Sequence, residues 1–279
     1  MKITLTLLPV LLCSLLCCAC AGNQARDATI HNALQSGLTP VEIAVDGYIL
    51  TTYQRITTTN EPVRVYIEGD GLAWITPTQA SADPTPIHAV GLSLAALDSS
   101  PNVVYLARPC QFSLQRSLQC TTADWTGKRF SEQLVQVMDR ELDIIMRGAP
   151  QQKIELVGYS GGGAMAVLLA ARRSDIASLR TVAGNLDDEA VNRYHHVSAM
   201  PESLNPIDFA RKIEHIPQRH FYGGRDKIIP SFVTESFVQR QQGLCATITT
   251  VAEGNHQDIW ETQWADLLKL PLGCRSECC

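Results

Sequence analysis

Residues 154–173 run Ile154-Glu155-Leu156-Val157-Gly158-Tyr159-Ser160-Gly161-Gly162-Gly163-Ala164-Met165-Ala166-Val167-Leu168-Leu169-Ala170-Ala171-Arg172-Arg173. The first four residues suit a short buried strand, and the stretch from Ala164 to Arg173 is a strong helix former with an apolar face. Between them, Gly158-Tyr159-Ser160-Gly161-Gly162 places a serine on a sharp turn whose glycines let helix backbone approach strand backbone. A Gly-x-Ser-x-Gly pattern alone is weak, and a glycine-rich packing turn would contain the same glycines. Strand before and helix after are the context that an exposed nucleophile requires.

The same alternation extends in both directions. Val41 to Tyr53 suits one or two strands, Val63 to Glu68 another, and Asn102 to Ala107 a further buried strand ended by Arg108-Pro109. Ser131 can cap a helix with Leu134, Met138, Leu142 and Ile145 on one face, stopped by Gly148 and Pro150. Strands at Leu179–Ala183, His220–Tyr222 and Ala246–Ala252 alternate with helices over Ser231–Gln241 and Glu261–Leu270. The predicted fold class is α/β, with a mostly parallel central sheet and helices on both faces. Residues 187–206 lack this rhythm and are predicted to form a small cap.

A serine hydroxyl is a poor nucleophile until a base takes its proton, and in this arrangement the acid and then the histidine follow in the chain. Asp226, in Phe221-Tyr222-Gly223-Gly224-Arg225-Asp226, lies just past a strand and is the predicted acid, with Asp187 or Asp188 in reserve. His256, in Gly254-Asn255-His256 after the last strand, is the predicted base. His31, His88, His195, His196, His215 and His220 are placed less well. The N–H of Gly161 is the expected first oxyanion donor, and the Glu68-Gly69-Asp70-Gly71 loop offers the N–H of Asp70 as the second. The side chain of Asp70, if ionised, would repel an oxyanion.

These motifs, taken in order, resemble the α/β-hydrolase superfamily. Ala107-Arg108-Pro109-Cys110-Gln111, Trp125 with Arg129-Phe130-Ser131, and Val182-Ala183-Gly184-Asn185-Leu186-Asp187 are similar to a group of exported Gram-negative α/β hydrolases. The resemblance spans about Val41 to Leu270. It implies the α/β-hydrolase fold, a triad of Ser160, Asp226 and His256, and hydrolysis of an ester or related acyl bond without metal or organic cofactor. Peptide or thioester cleavage is the alternative on the same triad, and a non-catalytic envelope-anchored binding module is the rival from another class. Glu68-Gly69 stands where His-Gly is common in that superfamily.

The 279 residues, 45% hydrophobic, suffice for one catalytic domain, here 41–279. At a net charge of -5 the chain lacks the basic footprint of a nucleic-acid binder. The expected partner is a small-molecule or lipid-like acyl substrate. Met1-Lys2 followed by an apolar run to Leu16 and small residues has the form of a secretory leader over 1–21, with a polar tether over 22–40. Ala19-Cys20-Ala21 suits a peptidase cut, whereas Cys17-Cys18-Ala19-Cys20 resembles a lipobox with Cys20 lipidated, which would anchor the protein to a membrane. The periplasm or the outer membrane is the expected location. Export makes disulfides the natural use of the later cysteines, Cys110 with Cys120 first and Cys245 with Cys274 second. Peptide mapping without reductant is expected to return Cys110 and Cys120 in one linked species; a free thiol at either would remove the bridge.

Overall fold

The computed structural model describes residues 24–243 and 245–274; the leader, with Cys20, and the last cysteines lie outside them. The chain opens with helix α1 over residues 24–35 and continues through β1 (Thr39–Val45), β2 (Tyr48–Ile56) and β3 (Val63–Ile67). A small separate hairpin, β4 (Trp74–Thr76) with β5 (Gln79–Ala80), precedes α2 (Val90–Ala96) and β6 (Asn102–Leu106). Then follow α3 (Glu132–Met146), β7 (Ile154–Tyr159), α4 (Gly161–Ala170), β8 (Ile176–Val182), α5 (Asp188–Tyr194), β9 (Gln218–Gly223), α6 (Ser231–Arg240), β10 (Ala246–Val251) and α7 (Trp260–Leu267).

Eight strands form one sheet in the order β1-β2-β6-β3-β7-β8-β9-β10. β2 pairs antiparallel with both its neighbours, and every other pairing is parallel. The β1–β2 hairpin closes on Asp46-Gly47, both at positive φ (49° and 86°), the backbone that a two-residue turn of the right twist demands. Alternate strand residues feed two cores. Val65, Ile67, Val104 and Leu106 face α3, α4 and α6, while Tyr66, Val103 and Tyr105 face α1, α2 and α7. Parallel strands covered on both faces are apolar on both, as β6 is from Val103 to Leu106.

All ten residues of α4 are buried, so it is apolar all round rather than amphipathic. Its glycines set how near it lies to the sheet. A Cβ on Gly162 would meet the carbonyl oxygens of Ile67 and Glu68 at 2.2 and 2.5 Å, and one on Gly158 would meet that of Gly162 at 2.3 Å. Ser131 caps α3 as predicted, its Oγ accepting from the Leu134 N–H at 3.4 Å.

The predicted tether needs correction from residue 24 onward. Residues 24–35 are helical, with Thr29 and Ala33 buried one turn apart and Gly37 (φ 86°) ending the helix. The buried face is made of small side chains, which give too little hydropathy contrast to register as periodic. The segment predicted as a cap contains the short helix α5. It is braced against the α6 region by a 2.8 Å bond between His195 Nε2 and the Ile228 carbonyl and by Tyr194 packed on Phe232. Cys110–Cys120 and Cys245–Cys274 are bonded. Among the described residues no helix is long and apolar enough to cross a membrane.

Because Gly162 faces backbone rather than movable side chains, Gly162→Ala is expected to cost about 3 kcal/mol of stability, the upper range of overpacking. Gly148→Ala, whose nearest contact would be an ordinary 3.5 Å, should stay within about 0.5 kcal/mol. Urea denaturation of both variants checks the difference.

Candidate active site

Ser160, Asp226, His256 and Asp70 all lie in loops beyond the carboxyl ends of parallel strands, β7, β9, β10 and β3. Ser160 adopts φ 50° and ψ -120°, a strained backbone for a residue with a Cβ. Three bonds hold it there. Its N–H donates to the Val182 carbonyl at 2.9 Å, and its carbonyl accepts from Gly163 and Asn185, both at 2.9 Å.

The structure brings three of the predicted residues into one chain of hydrogen bonds. His256 Nε2 is 2.9 Å from Ser160 Oγ, and His256 Nδ1 is 2.9 Å from Asp226 Oδ2. The Asp226 side chain is fully buried, and its other oxygen accepts from the N–H groups of Ile228 and Ile229 at 2.8 and 2.9 Å. The His256 carbonyl accepts from Tyr159 Oη–H at 3.0 Å and Trp260 Nε1–H at 2.9 Å. The histidine is therefore fixed through its backbone as well as its ring. With Nδ1–H directed at Asp226, Nε2 is left to accept the serine proton.

The reserve acids are used elsewhere. Asp187 caps α5, accepting from the Ala190 N–H at 3.1 Å and from Asn205 Nδ2 at 2.9 Å. Asp188 is buried at the start of the same helix, and its loss of hydration lifts its carboxyl to about 7. Of the other histidines, His220 is buried against Thr181 Oγ1, and burial lowers it to about 3, so it stays neutral. His88 is paired with Glu261 at 2.7 Å.

Gly161 is the first residue of α4, so its N–H has no acceptor within the helix. The side chain of Asp70 lies directly against it. A Cβ on Gly161 would stand 2.0 Å from Asp70 Oδ1, so only glycine fits beneath this carboxylate. Asp70 is in turn flanked by two arginines, Arg108 (Nη1 to Oδ1, 3.3 Å) and Arg129 (Nε to Oδ2, 3.2 Å). Both guanidinium groups rest on the Phe130 ring, at 5.1 and 5.3 Å from its centroid. Arg108 also donates through Nη2 to the Arg129 carbonyl. Burial lowers Arg108 to about 10, so it remains a cation at neutral pH.

These arginines, with Gln111 and Glu68, are site residues to which the sequence alone assigned no role. Gln111 stitches two loops together, its Oε1 accepting from the Arg108 N–H and its Nε2 donating to the Gly69 carbonyl. Glu68, fully buried, accepts from the N–H groups of Gly69, Gly91 and Leu92 and from Tyr105 Oη–H. Burial raises its carboxyl and those four donors oppose the rise. The only available signal was Arg108, Gln111 and Arg129 standing within motifs that carried the family resemblance. Among the described residues no group of three His, Cys, Asp or Glu side chains is placed to hold a metal ion.

No family model matches the sequence, and no curated protein is similar to it in sequence. Solved structures are similar in fold. The esterase Est1E from Butyrivibrio proteoclasticus superposes with a TM-score of 0.57 at 15% identity, over 82% of this chain and 96% of that one. A bacterial membrane phospholipase A gives 0.57 at 13% identity, over 95% and 99%. The Pyrococcus furiosus esterase Pf2001 gives 0.59 at 11% identity, over 82% and 88%. The eight-stranded, mostly parallel sheet with its flanking helices is the α/β-hydrolase fold.

Proposed function

We propose that the protein is a serine hydrolase that cleaves a carboxylic ester through an acyl-enzyme. The observation that carries this reading is the unbroken Ser160–His256–Asp226 hydrogen-bond chain on a strained turn. His256 Nε2 takes the Oγ proton as the serine oxygen attacks the ester carbonyl, and Asp226 holds the ring and balances the charge that develops on it. The N–H groups of Gly161 and Asp70 receive the oxyanion. His256 then protonates the departing alcohol, and a water activated by the same nitrogen releases the acid. Neither metal nor organic cofactor enters these steps.

That the fold neighbours include two esterases and a phospholipase supports ester chemistry for this chain as well. Export and a lipid on Cys20 belong to the same proposal. Two disulfides support the export, since such bonds persist in oxidising compartments.

Ser160→Ala is expected to lose on the order of a million-fold in turnover and all labelling by a fluorophosphonate probe, while folding normally. Asp226→Asn should lose roughly a thousand-fold or more, and Asp187→Asn should stay near wild type on one short-chain chromogenic ester. Substantial turnover in folded Ser160→Ala would overturn the nucleophile. A crippled Asp187→Asn beside an unaffected Asp226→Asn would move the acid.

A further inference from the structure

The Asp70–Arg108–Arg129 cluster exceeds what the triad requires. Two guanidinium groups converge on one carboxylate that lies against Gly161. Asp124, a second carboxylate bordering this cleft, accepts from the Thr121 N–H and hydroxyl, neutral donors that hold it in place without cancelling its charge. Asp188, the remaining acid near Arg129, is buried, and its loss of hydration raises its carboxyl while Arg129 opposes the rise.

The two arginines differ in how their donors are used. Arg108 is 5% exposed and spends Nη1 on Asp70 and Nη2 on the Arg129 carbonyl. Arg129 is 12% exposed, yet its only polar contact among the described residues is between Nε and Asp70, an ion pair whose geometry is not that of a hydrogen bond. Its Nη1 and Nη2 bond to no acceptor among the described residues. Unlike Nε, these two nitrogens are not cut off from solvent, so an anion can reach the fork and accept charge-assisted hydrogen bonds from it.

We propose that Arg129, backed by Arg108, is a subsite for a carboxylate on the substrate, so that the preferred ester carries a carboxylate near its scissile carbonyl. This rests on the serine-hydrolase reading for the word ester, though the anion site itself does not need turnover. A carboxylate matches the two parallel N–H vectors of the fork. Asp70 is the resident counter-ion that keeps the two arginines together while the site is empty.

The test compares matched esters in the intact protein: para-nitrophenyl pentanoate against the mono-para-nitrophenyl ester of glutarate, and phenyl acetate against its meta-carboxylate and meta-phosphate analogues. At low salt, at least one carboxylate ester should exceed its neutral partner by about tenfold in kcat/KM, and the ratio should shrink as salt is raised. In Arg129→Gln that ratio should fall to about one, and Arg129→Lys should retain part of it; a merely structural role would lower both esters together and leave the ratio intact. The same esters are titrated into Ser160→Ala by calorimetry, with and without Arg129→Gln, where the carboxylate ester should bind about tenfold more tightly only when Arg129 is present. Turnover with no carboxylate preference in either pair overturns the subsite and leaves the hydrolase reading standing, and preference for the phosphate analogue overturns the carboxylate assignment. Absence of all turnover with retained Arg129-dependent binding sinks the hydrolase reading and leaves the subsite.

Discussion

Helix α4 meets the sheet backbone to backbone, with no side chain between Gly162 and the carbonyls of Ile67 and Glu68. This contact is the constraint on which the rest depends. It forces the chain to leave β7 and enter the helix within one residue, and that residue, Ser160, takes the strain. A single residue in such a conformation costs about 1–3 kcal/mol and survives only where its surroundings over-determine it. Here β8 and the Gly163 and Asn185 amides do so. The same close approach brings the β3 loop against Gly161, so Ser160, the helix amide and Asp70 are one packing solution.

The loops around this contact are held by buried polar groups instead of apolar ones. Glu68 is the clearest case. Its carboxylate gathers the first amides of α2, its own neighbour's amide and the Tyr105 hydroxyl, and so ties the end of β3 to the start of the crossover helix. A histidine in its place would offer at most one acceptor nitrogen where this geometry needs four bonds accepted. Gln111 does comparable work from the other side, and the Cys110–Cys120 bridge closes the loop that Arg108 precedes. Removing either member of such a network leaves its partner buried without a bond, at a cost of about 1–3 kcal/mol.

Much of this was legible from the chain alone, for identifiable reasons. Ser160 follows directly on β7, and Asp226 and His256 come within five residues of the ends of β9 and β10, so strand pattern, glycine punctuation and chain order pointed to all three. The parallel sheet followed from strands spaced by helical patterns. What the sequence hid has physical causes too. α1 packs through Thr29 and Ala33, residues too small to give a hydropathy signal. Arg108 and Arg129 lie 21 residues apart, and Arg108 reaches an aspartate 38 residues earlier, so their meeting belongs to the folded state. Asp70 could be placed near the oxyanion from its loop, but not the two cations that offset its charge.

The placement of α1 has a consequence for how the proposed hydrolase would meet its substrate. Arg26, in its first turn, bonds the carbonyls of Pro86 and Thr85, and the neighbouring Pro84 carbonyl accepts from Leu72, just past Asp70. The domain therefore begins on the rim of the cleft, not at the opposite pole. An attachment made upstream would hold the cleft toward the surface to which it is made, and a reaction there would run as a two-dimensional encounter, governed by how much substrate lies on that surface rather than by its concentration in solution.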